Sequence, residues 1–367
     1  MIVRDNVLKN DERVALPLRE LYGAYGYTQY KMSKFEEYDL YAKNKDFLVS
    51  DNVITFTDTN GKLMALKPDV TLSIVKNSKD DGGLHKVYYD ENVYRISGSS
   101  RSYREIMQTG LECIGDVDDL AIAEVLMLAD RSLALISNDY VLDVSHLDIV
   151  SAVLDGMNVD EDTRAALLAA VGEKNLPAIK RLATDSALLC RLVDLQGSPD
   201  AVLPALCALP LNDVARAAVQ RLSTILLALK ACGCGDRVRI DFSVINDMSY
   251  YNGIVFKGFV NGVPAGVLSG GQYDRLMAKM GRKTGAIGFA VYLDLLERLC
   301  ERAAVFDVDV ALLYDDTAEL GAVMCAVKAM ADGGERVTAC KSVPCELRYR
   351  KLAKWTERGV EILENNA

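Results

Sequence analysis

The sequence predicts an α+β fold: an antiparallel sheet flanked by helices, interrupted by a helical insertion and followed by a small C-terminal α/β module. Three observations carry that prediction. Two Asn-Gly pairs, Asn60-Gly61 and Asn261-Gly262, each separate short runs of strand character, and Asn-Gly supplies the two positive-φ positions of a type I′ hairpin turn. Between residues 157 and 235 alanine and leucine dominate, Pro177, Pro199, Pro204 and Pro210 punctuate the run, and strand patterns disappear. After residue 305 short strand patterns return around one helical pattern. The predicted boundaries are a core over residues 1–156 and 236–304, the insertion over 157–235 and the module over 305–367.

Taken in order, Val14, Leu16, Leu18, Leu21 and Tyr22 precede Gly23 and Gly26, which predicts a helix over 11–27 stopped at its glycine-rich end. Residues 52–57 alternate as a strand and 63–66 return. Pro68 then blocks further pairing, so Asp69 and Thr71 stand where the chain leaves the sheet and a helix begins. Either can cap that helix, and either can face a ligand. Residues 85–95 and 103–112 read as two strands around a polar loop, and the alternation sets Gln108, Gly110 and Glu112 on one side. That side is either a solvated sheet face or a ligand surface. A helix follows over 119–135, a strand over 140–144, and His146 in a loop where no neighbour supplies a triad partner. The insertion, lying between this strand and the next at 238–244, is expected to project as a separate lobe. In the second hairpin, 253–260 and 263–268 are the strands, and Pro264 places the start of the return strand at a sheet edge. Tyr250 and Tyr251 before it are either sheet aromatics or ligand walls, and Gly270-Gly271 after it let backbone approach a ligand closely. The segment 284–290 leads into a predicted helix over 291–302, and the module reads as strand, helix, strand and a basic segment at 348–354.

Composition narrows the function. At 367 residues with a net charge of −10 the chain lacks the basic excess that general nucleic-acid binding needs. Nine cysteines, an odd number mostly within apolar segments, predict reduced core thiols. Cys232-Gly-Cys234 has the wrong spacing for a C-x-x-C motif, and two histidines exclude a His-rich site, so no metal is expected. The first ten residues are charged, and no apolar run is long enough to span a bilayer, which predicts a cytoplasmic protein without membrane attachment.

Five separated motifs then fall into one order: Lys67-Pro68-Asp69-Val70-Thr71, Tyr94-Arg95, Arg104-Glu105-Ile106-Met107-Gln108 with Gly110 and Glu112, Tyr250-Tyr251, and Gly270-Gly271-Gln272-Tyr273-Asp274. Over roughly residues 10–300 this order resembles the histidyl-tRNA synthetases, and five motifs in sequence are far more specific than any one. The resemblance implies a class II synthetase-like sheet and a free-amino-acid pocket. In it Asp69, Thr71, Gln108 and Glu112 match the positions that hold the α-ammonium group. Tyr250 and Tyr251 match the pair beside the imidazole, Gly270 and Gly271 keep the pocket open, and Arg95 and Arg104 are candidate phosphate or ligand contacts. An ammonium has three donors and no acceptor, so carboxylates, an amide oxygen and a hydroxyl suit it.

The departures concern catalysis. Asn246-Asp247 and Asp294-Leu295 stand where the family carries arginines, and Ser97 replaces an acidic residue expected after Arg95. Losing one fixed cation aimed at transition-state charge costs roughly 3 to 4 kcal/mol, so two such losses leave little adenylation. The resemblance therefore points to the non-catalytic branch of the family, the regulatory subunits of ATP phosphoribosyltransferase. It implies a homodimer through the synthetase-like core, a short-form catalytic partner subunit, histidine as feedback effector, and no cofactor or tRNA. The alternative is a histidyl-tRNA synthetase or amino-acid ligase paralogue that activates an amino acid with ATP.

Overall fold

The computed structural model describes residues 8, 10–44, 53–78, 82–96, 102–245, 250–296 and 306–366. The chain divides into two compact units, Met1–Cys300 and Glu301–Ala367.

The first unit opens with α1 (Asn10–Ala24), β1 (Thr28–Gln29), β2 (Phe35–Glu37), α2 (Tyr38–Ala42), β3 (Thr55–Thr57), β4 (Leu63–Leu66) and α3 (Thr71–Asn77). The long strands β5 (His85–Ile96) and β6 (Tyr103–Gly115) follow, then α4 (Asp119–Ile136) and β7 (Tyr140–His146). Next come α5 (Leu147–Asp155), α6 (Glu161–Gly172), α7 (Leu176–Leu182), α8 (Ala187–Asp194), β8 (Gln196–Gly197), α9 (Pro199–Cys207) and α10 (Asp213–Ala231). The unit continues with β9 (Val238–Asp241), β10 (Asn252–Val260), β11 (Leu268–Gln272), α11 (Asp274–Lys279), β12 (Gly285–Tyr292) and a 3-10 turn at Leu293–Leu296. Asp118, Asp160, Asn175 and Asn212 each accept a hydrogen bond from the backbone N–H three residues on, which explains why α4, α6, α7 and α10 start where they do.

Nine strands form one sheet in the order β1-β5-β6-β12-β11-β10-β7-β9-β8. Its central strands, from β5 to β7, pair antiparallel, as expected. The sheet is nevertheless mixed, because β1 pairs with β5 and β7 with β9 in parallel. The second parallel pair has a direct cause: parallel neighbours need a crossover, and α5 to α10 are that crossover. This also corrects the expectation of a projecting lobe. Leu167, Ile179, Leu189 and Leu222 from the insertion share one apolar cluster with Leu142 of β7 and Ile254 of β10. Helices whose apolar faces can be buried on a sheet gain more by packing there than by standing apart.

Both hairpins form with longer connections than Asn-Gly alone requires. β10 and β11 are joined through residues 261–267, so Pro264 lies in the connection and both strands are central rather than at an edge. β3 and β4 are joined through 58–62, where Asp58 Oδ1 accepts from the N–H groups of Asn60 and Lys62, and with β2 they make a separate three-stranded sheet. The predicted helix over 291–302 is instead the end of β12 and the 3-10 turn, with 297–302 outside the described residues. Cysteines also differ from expectation: Cys113 and Cys190 are buried, but Cys207, Cys232, Cys325 and Cys345 are exposed. No helix among the described residues is long and apolar enough to cross a membrane.

The second unit contains β13 (Val308–Leu313), α12 (Leu320–Asp332), β14 (Val337–Cys340), β15 (Tyr349–Thr356) and β16 (Gly359–Asn365), in the order β14-β13-β15-β16. The last strand was not expected. It returns antiparallel to the basic β15 through a tight turn in which Thr356 Oγ1 donates to the Gly359 carbonyl and Gly359 takes φ 108°.

Candidate functional site

Pro68 ends pairing after β4, and the chain crosses the sheet into α3. Of the residues beside it, Asp69 both caps the helix and lines the pocket, and Thr71 lines the pocket. Asp69 Oδ1 accepts from the Leu72 N–H at 2.8 Å and so caps the first turn of α3. Thr71 turns its hydroxyl inward and donates to Glu112 Oε1 at 2.8 Å. This crossing is held from below by Lys67, whose fully buried ammonium pairs with Glu91 of β5, and from the side by Arg95, whose Nε donates to the Pro68 carbonyl at 3.0 Å.

Asp69, Thr71, Arg95, Gln108, Glu112, Tyr250 and Tyr251 all line one pocket of about 620 Å³, open mouth included. Gln108 and Glu112 do share one face of β6, as the alternation predicts, but that face is not solvated: the two are 4% and 2% exposed. The reason lies in the glycines opposite. Gly288 of β12 pairs with Glu112, and a Cβ there would collide with Glu112 Oε2 and the Leu111 carbonyl. Gly110 likewise leaves room for the Tyr89 ring, which lies against it. Of the two glycines singled out from sequence, Gly271 faces the aromatic wall, where a Cβ would sit 2.9 Å from Tyr251 Cδ1. Gly270 faces the other way, into the apolar core, where a Cβ would lie 2.7 Å from Phe256 Cζ. Neighbouring side chains on a strand point to opposite faces, and neither glycine is among the residues that line the pocket. Arg104 pairs with Arg95 across β5 and β6 but is exposed and does not line the pocket. Asn246, Asp247 and Ser97 lie outside the described residues.

The tyrosine wall is fixed by a reciprocal pair: Asn252 Nδ2 donates to Asp274 Oδ2, and the Asp274 N–H donates to Asn252 Oδ1, both at 2.8 Å. Asp274 Oδ1 also accepts from the Ala286 N–H, tying the start of β10 to β12. Tyr250 packs against Tyr251 with ring centroids 4.5 Å apart and against Tyr273 at 5.8 Å. Tyr89, Ser269, Tyr273 and Tyr292 are among the lining residues to which the sequence reading gave no site role. Tyr273 matters most, because its hydroxyl donates to Glu112 Oε2 at 2.7 Å. Alternation could have found it, since Ser269, Gly271 and Tyr273 stand at two-residue spacing.

Electrostatically the pocket is short of cations. Burial pushes the Glu112 carboxyl up to about 8, the neighbouring Asp69 charge adds to this, and the Tyr273 and Thr71 hydroxyls only partly oppose it. Burial also raises the Asp69 carboxyl, against the pull of the Leu72 N–H and Arg95. Among the described lining residues Arg95 is the one cation. Two carboxyl groups, an amide and a hydroxyl around an aromatic wall form a site that a small cation with several N–H donors would satisfy.

The family model for histidyl-tRNA synthetase matches residues 5–296. The ATP phosphoribosyltransferase regulatory subunit of Alkaliphilus metalliredigens is 29% identical over 286 residues, which cover 74% of this chain and 72% of that relative. Among solved structures, an ATP phosphoribosyltransferase regulatory subunit/histidyl-tRNA synthetase from Bacillus halodurans matches with a TM-score of 0.77 at 24% identity, covering 96% of both chains. A chain of the ATP phosphoribosyl transferase complex from Thermotoga maritima matches with a TM-score of 0.62 at 18% identity, over 80% of this chain and 98% of that one. These two likenesses establish the same fold. Since the matched segment runs from α1 through β12 and contains every pocket residue, the chain belongs to the histidyl-tRNA synthetase family.

Proposed function

We propose that this protein is the non-catalytic regulatory subunit of an ATP phosphoribosyltransferase. It binds free histidine as an effector, uses no cofactor, pairs with a second copy through its synthetase-like core, and joins a short-form catalytic subunit in the cytoplasm. The catalytic subunit depends on it for activity and for histidine feedback in the first step of histidine biosynthesis. One observation carries this reading: Asp69, Thr71, Gln108 and Glu112 line one pocket with Tyr250 and Tyr251, while Asp294-Leu295, in the turn after β12, stand where the synthetase resemblance implies an arginine. Such a site binds an amino acid without activating it. The name of the Alkaliphilus relative supports the partner assignment. For feedback, histidine must bind one state of the hetero-oligomer more tightly than another, because equal affinity shifts nothing.

Isothermal titration with histidine, with and without the catalytic subunit, tests ligand and partner together. Binding in both cases with different affinities is expected. Tyr251→Ala should weaken histidine inhibition of the reconstituted enzyme, and unchanged inhibition would overturn the assignment. Histidine-dependent ATP–pyrophosphate exchange at synthetase-like rates would favour the ligase alternative instead.

A further inference from the structure

On the pocket face of β12, Gly288, Ala290 and Tyr292 follow one another at two-residue spacing, so all three point to the same side of the pleat. The first two carry no large side chain: Glu112 fills the space over its partner Gly288, and Ala290 pairs with Gly110, against which Tyr89 lies. Tyr292 pairs with Gln108 and lines the pocket as the last member of that row. Gln108 stands four positions before Glu112 on β6, about 14 Å along the strand at about 3.4 Å per residue, and Tyr292 sits at the Gln108 end of that row. That span holds an amino acid and its side chain. A longer ligand must pass the ring. The same end carries mixed charge, since Arg95, Asp69 and Asp294 all lie within electrostatic reach of the Tyr292 hydroxyl. A single ionised carboxylate can be met there by the guanidinium, whereas several phosphate charges also meet the two carboxylates.

Resting on the reading of the pocket as an amino-acid site, we propose that Tyr292 is a specificity-determining residue. Its ring ends the pocket beside Arg95, admitting a free α-amino acid and refusing one whose carboxyl group is joined to a nucleotide. Loss of nucleotide chemistry is then built into the floor of the pocket and does not depend on missing arginines alone.

The test is calorimetric titration of the full-length protein with histidine and with histidyl-sulfamoyladenosine, a non-hydrolysable acyl-adenylate mimic. The wild-type protein should bind histidine and bind the mimic at least about a hundredfold more weakly. Tyr292→Ala should tighten the mimic by about tenfold or more while moving histidine by less than about threefold, and Tyr292→Phe should behave as wild type. Equal binding of both ligands by the wild-type protein, or an unchanged preference in Tyr292→Ala, would overturn the proposal. Absence of histidine binding in every variant would instead overturn the amino-acid reading beneath it.

Discussion

Replacing Glu112 by glutamine removes a titrating group from the pocket while keeping its shape, and the structure sets the size of the effect. Glu112 is 2% exposed and its carboxyl is pushed up to about 8 from an ordinary 4.5 by burial. Between those values the folded chain holds a proton that the unfolded chain releases, so wild-type stability falls as pH rises through the window. Each pH step costs about 1.4 kcal/mol, which makes the penalty at pH 7 about 3 kcal/mol and at pH 5 under about 1 kcal/mol. Glutamine mimics the protonated carboxyl toward Thr71 and Tyr273 without that penalty. Glu112→Gln should therefore be more stable than wild type by about 3 kcal/mol at pH 7, with the gap nearly closed at pH 5. Urea unfolding followed by far-UV circular dichroism is the assay, because the single tryptophan, Trp355, reports on the other unit. A gap of equal size at both pH values, or a variant less stable than wild type at pH 7, would refute the reasoning. The same variant should bind histidine about thirtyfold more weakly, from the loss of a charge-assisted hydrogen bond worth about 2 kcal/mol. Stability spent on an unpaired carboxyl group would then be recovered as affinity.

Three further perturbations follow from the geometry. His146, 1% exposed and 3.9 Å from Asp148, is held down at about 4 by burial, with Asp148 opposing and Arg221 adding to the depression. Its contribution is full above its ordinary 6.5 and is lost as pH falls toward 4, so His146→Leu should flatten an acid-side slope of order 1 kcal/mol per pH unit in the urea titration. Lys67→Met leaves Glu91 without its buried partner and should lower stability by about 3 kcal/mol, read from the urea midpoint. Gly288→Ala drives a methyl group into Glu112 and the Leu111 carbonyl, and should cost about 2 kcal/mol and weaken histidine binding measured by calorimetry.

Much of the fold was legible because its signals are local. The alternation in 103–112 assigned Gln108 and Glu112 to one face, the Asn-Gly pairs marked two hairpins, and Pro68 marked the exit from β4. Their partners were not legible. Nothing in the pattern around Tyr273 says that its hydroxyl meets Glu112, 161 positions earlier, and nothing near Gly270 says that it faces Phe256 instead of the pocket. Position 292 reads as part of a helix until strand pairing makes it the end of β12, beside Gln108.

The order of elements, the chemical types around the pocket and the departures at Asn246-Asp247 and Asp294-Leu295 belong to the one-dimensional chain, because propensity, pleat and composition act over a few residues. The burial of Glu112, the opposite facing of Gly270 and Gly271, the continuity of the insertion with the sheet, and the place of Tyr292 belong to strand pairing. Pairing joins residues far apart in sequence, and a shift of one position exchanges the two faces of a strand.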